Sequence, residues 1–167
     1  MKNKGFSLVE LIIVIAIMAI LAAAIAPALI RYIDKSRRSD DVAAAETLNT
    51  AAQAALSNEE AYDEIQEAIP TTGGNPVVLA SATPGSNFTQ VATTNISGNM
   101  VTFLSEINSS CNNKAPKLKY KKKADGTNKP TVWNIGVNDA GKPVVWLGTG
   151  NTDTTYELQP EINKYYK

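Results

Sequence analysis

Residues Phe6–Ile30 read FSLVELIIVIAIMAILAAAIAPALI, a run of 25 residues with one charge, Glu10. At ~1.5 Å rise per residue the run makes roughly 37 Å of helix, more than a hydrocarbon core of ~30 Å requires. It predicts a membrane-spanning segment. An ordinary secretory signal has an apolar stretch of about 7–15 residues ending at a small-residue cleavage site. This run is longer, and its one Ala-x-Ala, Ala24-Ile25-Ala26, leads straight into Pro27. A charge at a bilayer centre costs ~2.5–3.5 kcal/mol, less near an end, so Glu10 demands a partner. Pro27 lacks a backbone N–H and clashes with the preceding turn, which predicts a kink or a locally opened helix.

The residues just before this run sharpen the reading. MKNKG precedes Phe6, giving a short basic stretch that ends in Gly5, then Phe6, then Glu10 at fixed spacing, then the spanning run. Counting Lys2 and Lys4 against Arg31, Lys35, Arg37 and Arg38 favours an inside C-terminal flank. The motif points instead to a specialised export class, because it resembles the prepilins of the type IV filament superfamily: type IV pilins, type II secretion pseudopilins and competence pseudopilins. The resemblance covers residues 1 to about 38 strictly and the helix to about 58 more loosely. It implies a leader over residues 1–5, cleavage between Gly5 and Phe6 by a prepilin peptidase on the cytoplasmic face, and N-methylation of Phe6. It also implies that Glu10 meets the Phe6 amine of a neighbouring subunit and sets register on assembly. The residues agree, since cleavage would place a positive amine one helical turn from Glu10, while the helix N-terminus favours a carboxylate. By the same resemblance Pro27 lies where many pilins carry a proline, and residues of roughly 20 to 30 would either melt in the polymer or keep a tolerated kink.

Beyond the span the chain stays helical. Residues 31–38 form a basic collar of net +3, and residues 39–69 carry eight acids and no base. Val42, Ala45, Leu48, Ala52, Ala55 and Leu56 recur at spacings of 3 or 4, which makes one narrow apolar stripe of mostly small side chains that admits a closely packed sheet. Ser57 with Glu60 reads as a capping box, so the helix breaks near Asn58 and a second runs from Glu59 to Ala68 until Pro70 and Gly73-Gly74. The span thus covers residues 6–30, the amphipathic and short helices 31–69, and a head 70–167.

Residues 71–113, rich in Thr, Ser, Asn and Gly with short apolar runs such as Val77–Ala80 and Met100–Leu104, predict a long loop with a short helix or strand. From Leu118 the LKYK alternation, TVWNIGV at 131–137 and VVWL at 144–147 read as strands. Asp125-Gly126 and Asp139-Ala140-Gly141 supply turns, so an antiparallel meander is expected. Trp133, Ile135 and Val137, or the opposite register, should press on the helix. The expected fold is α+β: a long N-terminal helix packed on a small antiparallel sheet, the shape of type IV pilins.

Composition bounds the chemistry. Among 167 residues there is no histidine and one cysteine, Cys111, so the commonest neutral-pH base is missing and no disulfide can close within the chain. No nucleophile–base pair or cofactor motif emerges, and an enzyme is not expected. Asp153 with nearby Thr and Asn oxygens matches no calcium template, so no metal site is assigned. Asp40-Asp41 and Glu59-Glu60 read as solvated faces. The lysine ribbon Lys117, Lys119, Lys121, Lys122 and Lys123, flanked by Lys114 and Lys129, admits three readings: an edge strand guarded by charge, a contact with the acidic 40–67 segment of a stacked subunit, or nucleic-acid capture. The six tyrosines read as packing and surface contact rather than as a conducting path. The sequons at Asn87, Asn95 and Asn108 read as exposed loop.

Taken with the resemblance, the sequence predicts a structural subunit, a major pilin, that polymerises with itself into a type IV pilus. Its expected partners are the prepilin peptidase and an inner-membrane assembly platform with its motor. Its expected places are the cytoplasmic membrane as precursor and the cell surface as fibre. The runner-up is a pseudopilin of a type II secretion or competence pseudopilus.

Overall fold

A computed structural model describes residues 5–69, 76–91, 96, 98–122, 125–126, 129–138 and 140–167. The elements in chain order are α1 (Leu8–Leu56), α2 (Glu59–Ala68), β1 (Val77–Ala82), β2 (Thr89–Gln90), α3 (Val101–Ser110), β3 (Val132–Val137), β4 (Pro143–Gly148) and β5 (Tyr156–Gln159). The chain divides into two compact units, Met1–Ser36 and Arg37–Lys167.

The first unit is the apolar front of α1. Its large side chains are uncovered: Leu8, Ile15, Met18 and Ile20 are all more than half exposed. Helical structure continues through Pro27.

In the second unit the rear of α1 presents Ala45, Leu48, Ala52 and Ala55, all fully buried, to the core formed with Leu79, Trp133, Ile135, Leu147 and Leu158. The expected stripe is therefore the packing face, and Val42 and Leu56 sit half-buried at its margins. Polar α1 side chains off the stripe bond inside their own helix, as Thr47 to the Ala43 carbonyl and Thr50 to that of Glu46. The five-stranded sheet has the order β2-β1-β3-β4-β5 and is antiparallel throughout. Trp133, Ile135 and Val137 share the helix-facing core, whereas Val78, Val91, Val144 and Trp146 make a smaller cluster of their own.

Four expectations are corrected. The region read as a long loop with a short helix or strand holds more order than that: it supplies β1, an interior strand paired to both β2 and β3, as well as α3, because Val77–Ala82 is apolar enough to be buried on both faces. The LKYK segment is no strand. It runs as an irregular extended stretch whose amides bond to α1 instead of to a neighbouring strand, so Asp125-Gly126 joins no hairpin. The α2 cap is Asn58, whose Oδ1 accepts the Glu60 N–H at 3.1 Å, while the Ser57 hydroxyl bonds back to the Gln53 carbonyl. Asn108 is a half-buried α3 residue clamping the Phe88 backbone through both amide atoms, not an exposed loop sequon. Asn95 and Asp139 lie outside the described residues.

Two close approaches fix the sheet. A Cβ at Gly136 would stand 1.8 Å from the Val77 carbonyl oxygen, and one at Gly148 would stand 2.6 Å from that of Asp153. The 148–155 loop needs no disulfide. The Asn134 amide donates to the carbonyls of Gly150 and Asp153, and the Asp153 carboxylate accepts from Thr149 and Thr155 backbone and hydroxyl groups. Burial raises the Asp153 pKa, but these hydrogen bonds outweigh it and hold it below the usual aspartate value. Its oxygens organise a loop.

Candidate assembly surfaces

The N-terminal motif begins where α1 does. Ser7 is the last residue before the helix, and its carbonyl accepts the Leu11 N–H at 3.2 Å. Glu10, three residues on, folds back so that Oε2 accepts the Ser7 N–H at 2.9 Å, half of a Ser-x-x-Glu capping box. In the single chain this bond and the helix dipole hold the Glu10 carboxylate. Phe6 is 84% exposed. A Cβ built on Gly5 meets nothing within 4 Å, so the fold itself sets no requirement for glycine there.

The basic surface is built by an acid that the sequence pattern placed in solvent. Asp41 is fully buried, and its carboxylate accepts the backbone N–H of Lys119 at 2.7 Å and of Tyr120 at 3.0 Å. Burial raises its pKa against the lowering effect of those two bonds. Helix phase carried the signal. Asp41 precedes Ala45 by four residues and Leu48 by seven, which puts it on the buried stripe, whereas Asp40 is exposed.

Arg38 adds a second link, donating from Nη2 to the Tyr120 hydroxyl at 2.7 Å with its guanidinium 4.5 Å from the ring centre. The Trp133 indole N–H donates to the Pro116 carbonyl. Behind them, Tyr120 and Tyr156 each pack against Tyr166, with centroids 6.1 and 5.9 Å away, so three of the six tyrosines are core. Burial, and then the Asp125 carboxylate bonded to its hydroxyl, push the Tyr156 pKa up to about 12.

Thus pinned, the segment turns its lysines outward. An open cleft of about 760 Å³ is lined by Arg37, Lys117, Lys119, Lys121 and Lys129, with no carboxylate in its wall among the described residues. The structure brings three ribbon lysines together and adds Arg37, which the ribbon reading left out. Lys122 is exposed beside them, and Lys123 lies outside the described residues. On α2, Glu59, Glu60 and Asp63 are exposed. Glu64 differs from them, because its carboxylate accepts the N–H groups of Thr102 and Phe103 and so caps α3, whose own N-cap residue Met100 offers no side-chain bond. These bonds outweigh the opposing effect of burial and lower the Glu64 pKa. Cys111 closes α3, half-buried, and burial pushes its thiol pKa up.

A long helix with an uncovered apolar front, packed by its rear on a small antiparallel sheet, is the α+β architecture of pilins. Residues 1–26 match the family described as the prokaryotic N-terminal methylation motif. Over 87 residues, 50% of this chain, the sequence is 33% identical to the type IV major pilin protein PilA of Myxococcus xanthus. The chain spans 40% of that relative's length. No solved structure matches. By motif, fold and relative the chain is type IV pilin-like.

Proposed function

We propose that this chain is a structural subunit of a type IV pilus, the major pilin, made as a membrane-anchored precursor and polymerised into a surface fibre. One observation carries the reading. The helix α1, whose front lies within the residues that match the methylation motif, holds an 18-residue stretch of mean hydropathy 3.0, none of it buried within the chain. Such a surface needs lipid before assembly and neighbouring helices after it. A prepilin peptidase removes residues 1–5, and Phe6 becomes the methylated N-terminus. Glu10 then exchanges its local bond to Ser7 for the Phe6 amine of a neighbour. A carboxylate that finds a cation only at the correct offset penalises other offsets. Pro27 provides the point at which residues of about 20 to 30 unwind in the fibre, since that turn already lacks one helical hydrogen bond. The assembly platform and its motor draw the subunit from the cytoplasmic membrane to the surface.

The test is mass spectrometry of the N-terminal peptide from material sheared off cells. A peptide beginning at N-methylated Phe6 is expected. The same cut form confined to the membrane supports a pseudopilus instead, and an intact Met1 overturns the proposal. Gly5→Leu should leave uncut precursor; because the fold tolerates a side chain there, normal processing of that variant would refute the cleavage site.

A further inference from the structure

Arg37, Lys117, Lys121 and Lys129 have no carboxylate partner among the described residues, and Glu59, Glu60 and Asp63 have no cation. The basic set gathers near the start of the packed half of α1, and the acidic set follows its end. Arg37 stands near the start of the packed half of α1, and α2 begins just past its last turn at Leu56. The intervening 21 residues of sequence span roughly 30 Å at 1.5 Å per residue.

We propose that the basic cleft of one copy receives the acidic first turns of α2 from a second copy, a head-to-tail contact that rests on the filament reading above. Two different complementary patches on one body form a heterologous contact. Unless its rotation happens to close a ring, such a contact repeats without limit as a helix. That is the symmetry a fibre needs. The concavity favours a convex guest, and a helix of nearly three turns carrying three exposed acids supplies one. Nucleic acid fits less well. Single-stranded chains bind through aromatic platforms as well as cations, yet Tyr120, the one aromatic side chain lining the cleft among the described residues, is buried and held by Arg38. A duplex lying along α1 would also meet the acids that follow the collar.

Asp41 makes the cleft possible. By holding the amides of Lys119 and Tyr120 it replaces a strand partner and anchors the segment from which Lys117, Lys119 and Lys121, two residues apart, line one wall.

Charge reversal of the full chain in cells tests the contact. Lys117→Glu, Lys121→Glu and Lys129→Glu together should lower the sheared fibre at least tenfold at unchanged membrane content. So should Glu59→Lys, Glu60→Lys and Asp63→Lys. The six combined should return the yield to within about twofold of wild type, an outcome that damage to folding does not produce. A short thiol cross-linker should also ladder Lys121→Cys/Asp63→Cys fibres in a Cys111→Ser background, and should not ladder either single cysteine. Wild-type yield from both triples, or no recovery in the combined variant together with no ladder, overturns the contact and leaves the filament reading standing. If the basic triple keeps its fibres but they no longer bind a fluorescent oligonucleotide that wild-type fibres hold, the cleft serves nucleic acid and the proposal fails. A wild-type chain that never leaves the membrane overturns both readings.

Discussion

Replacing Asp41 with alanine should loosen the basic surface while leaving α1 helical. The change removes the acceptor for two N–H groups, those of Lys119 and Tyr120, the second of which is buried. Hydrogen bonds to a charged acceptor contribute about 1.5–3 kcal/mol each. Against that loss stands the relief of a buried carboxylate, whose raised pKa shows that burial outweighs its bonds. Alanine also suits a helix better than aspartate, by a few tenths of a kcal/mol. The balance is a destabilisation of about 2–3 kcal/mol, or roughly 10 °C in Tm for a domain of this size. Asp41→Asn, which keeps one acceptor and turns an N–H₂ toward the second donor, should fall between the two. Tryptophan fluorescence of the full chain in detergent reads the head alone, because Trp133 and Trp146 are both buried there. Hydrogen exchange at residues 119 and 120 should quicken before any other head amide. A wild-type Tm, or unchanged protection of those two amides, would refute the clamp.

Three further outcomes are expected. Glu10→Val should insert into the membrane normally, since it removes a charge from the span, yet yield little sheared fibre; wild-type yield would remove Glu10 from assembly. Gly136→Ala should cost about 3 kcal/mol, because the added carbon meets the Val77 carbonyl rather than a movable side chain, and an unshifted urea midpoint would show that the strands can part at little cost. Glu64→Gln should flatten acid denaturation: a folded pKa below the unfolded 4.5 contributes stability that is present above pH 4.5 and lost as pH falls through the folded value. The difference in unfolding midpoint between wild type and variant should shrink from pH 6 to pH 3, and a constant difference would refute the assignment. Asp41, with its pKa raised, acts in the opposite direction.

The elements legible in the sequence were those with a strong period or strong punctuation. The alanine stripe of α1, the break at Asn58, the α2 range and the strands around Trp133 and Trp146 all follow from side-chain pattern. What escaped was decided at long range. LKYK alternates like a strand, but its amides go to a carboxylate 78 positions earlier, and alternation cannot tell a ladder partner from a lone acid. Val77–Ala82 sits in a Thr- and Ser-rich stretch, and its pairing with β3 depends on residues more than fifty positions away. At the N-terminus the motif and the local geometry speak to separate matters: the spacing of Ser7 and Glu10 serves the helix start in one chain, and the motif class is what points to a neighbour.

The order of the chain also imposes a wait. The stripe on α1 is complete by Ala55, yet the strands that cover it include β5, which ends at Gln159, and Tyr166 packs behind them. At about 5–20 residues per second of synthesis, that is roughly 5–20 s during which the stripe has no lid. A stripe of leucines would be an adhesive surface for that interval. Alanine offers little area to a passing chain, so Ala45, Ala51, Ala52 and Ala55 keep the growing polypeptide unsociable until its own sheet arrives.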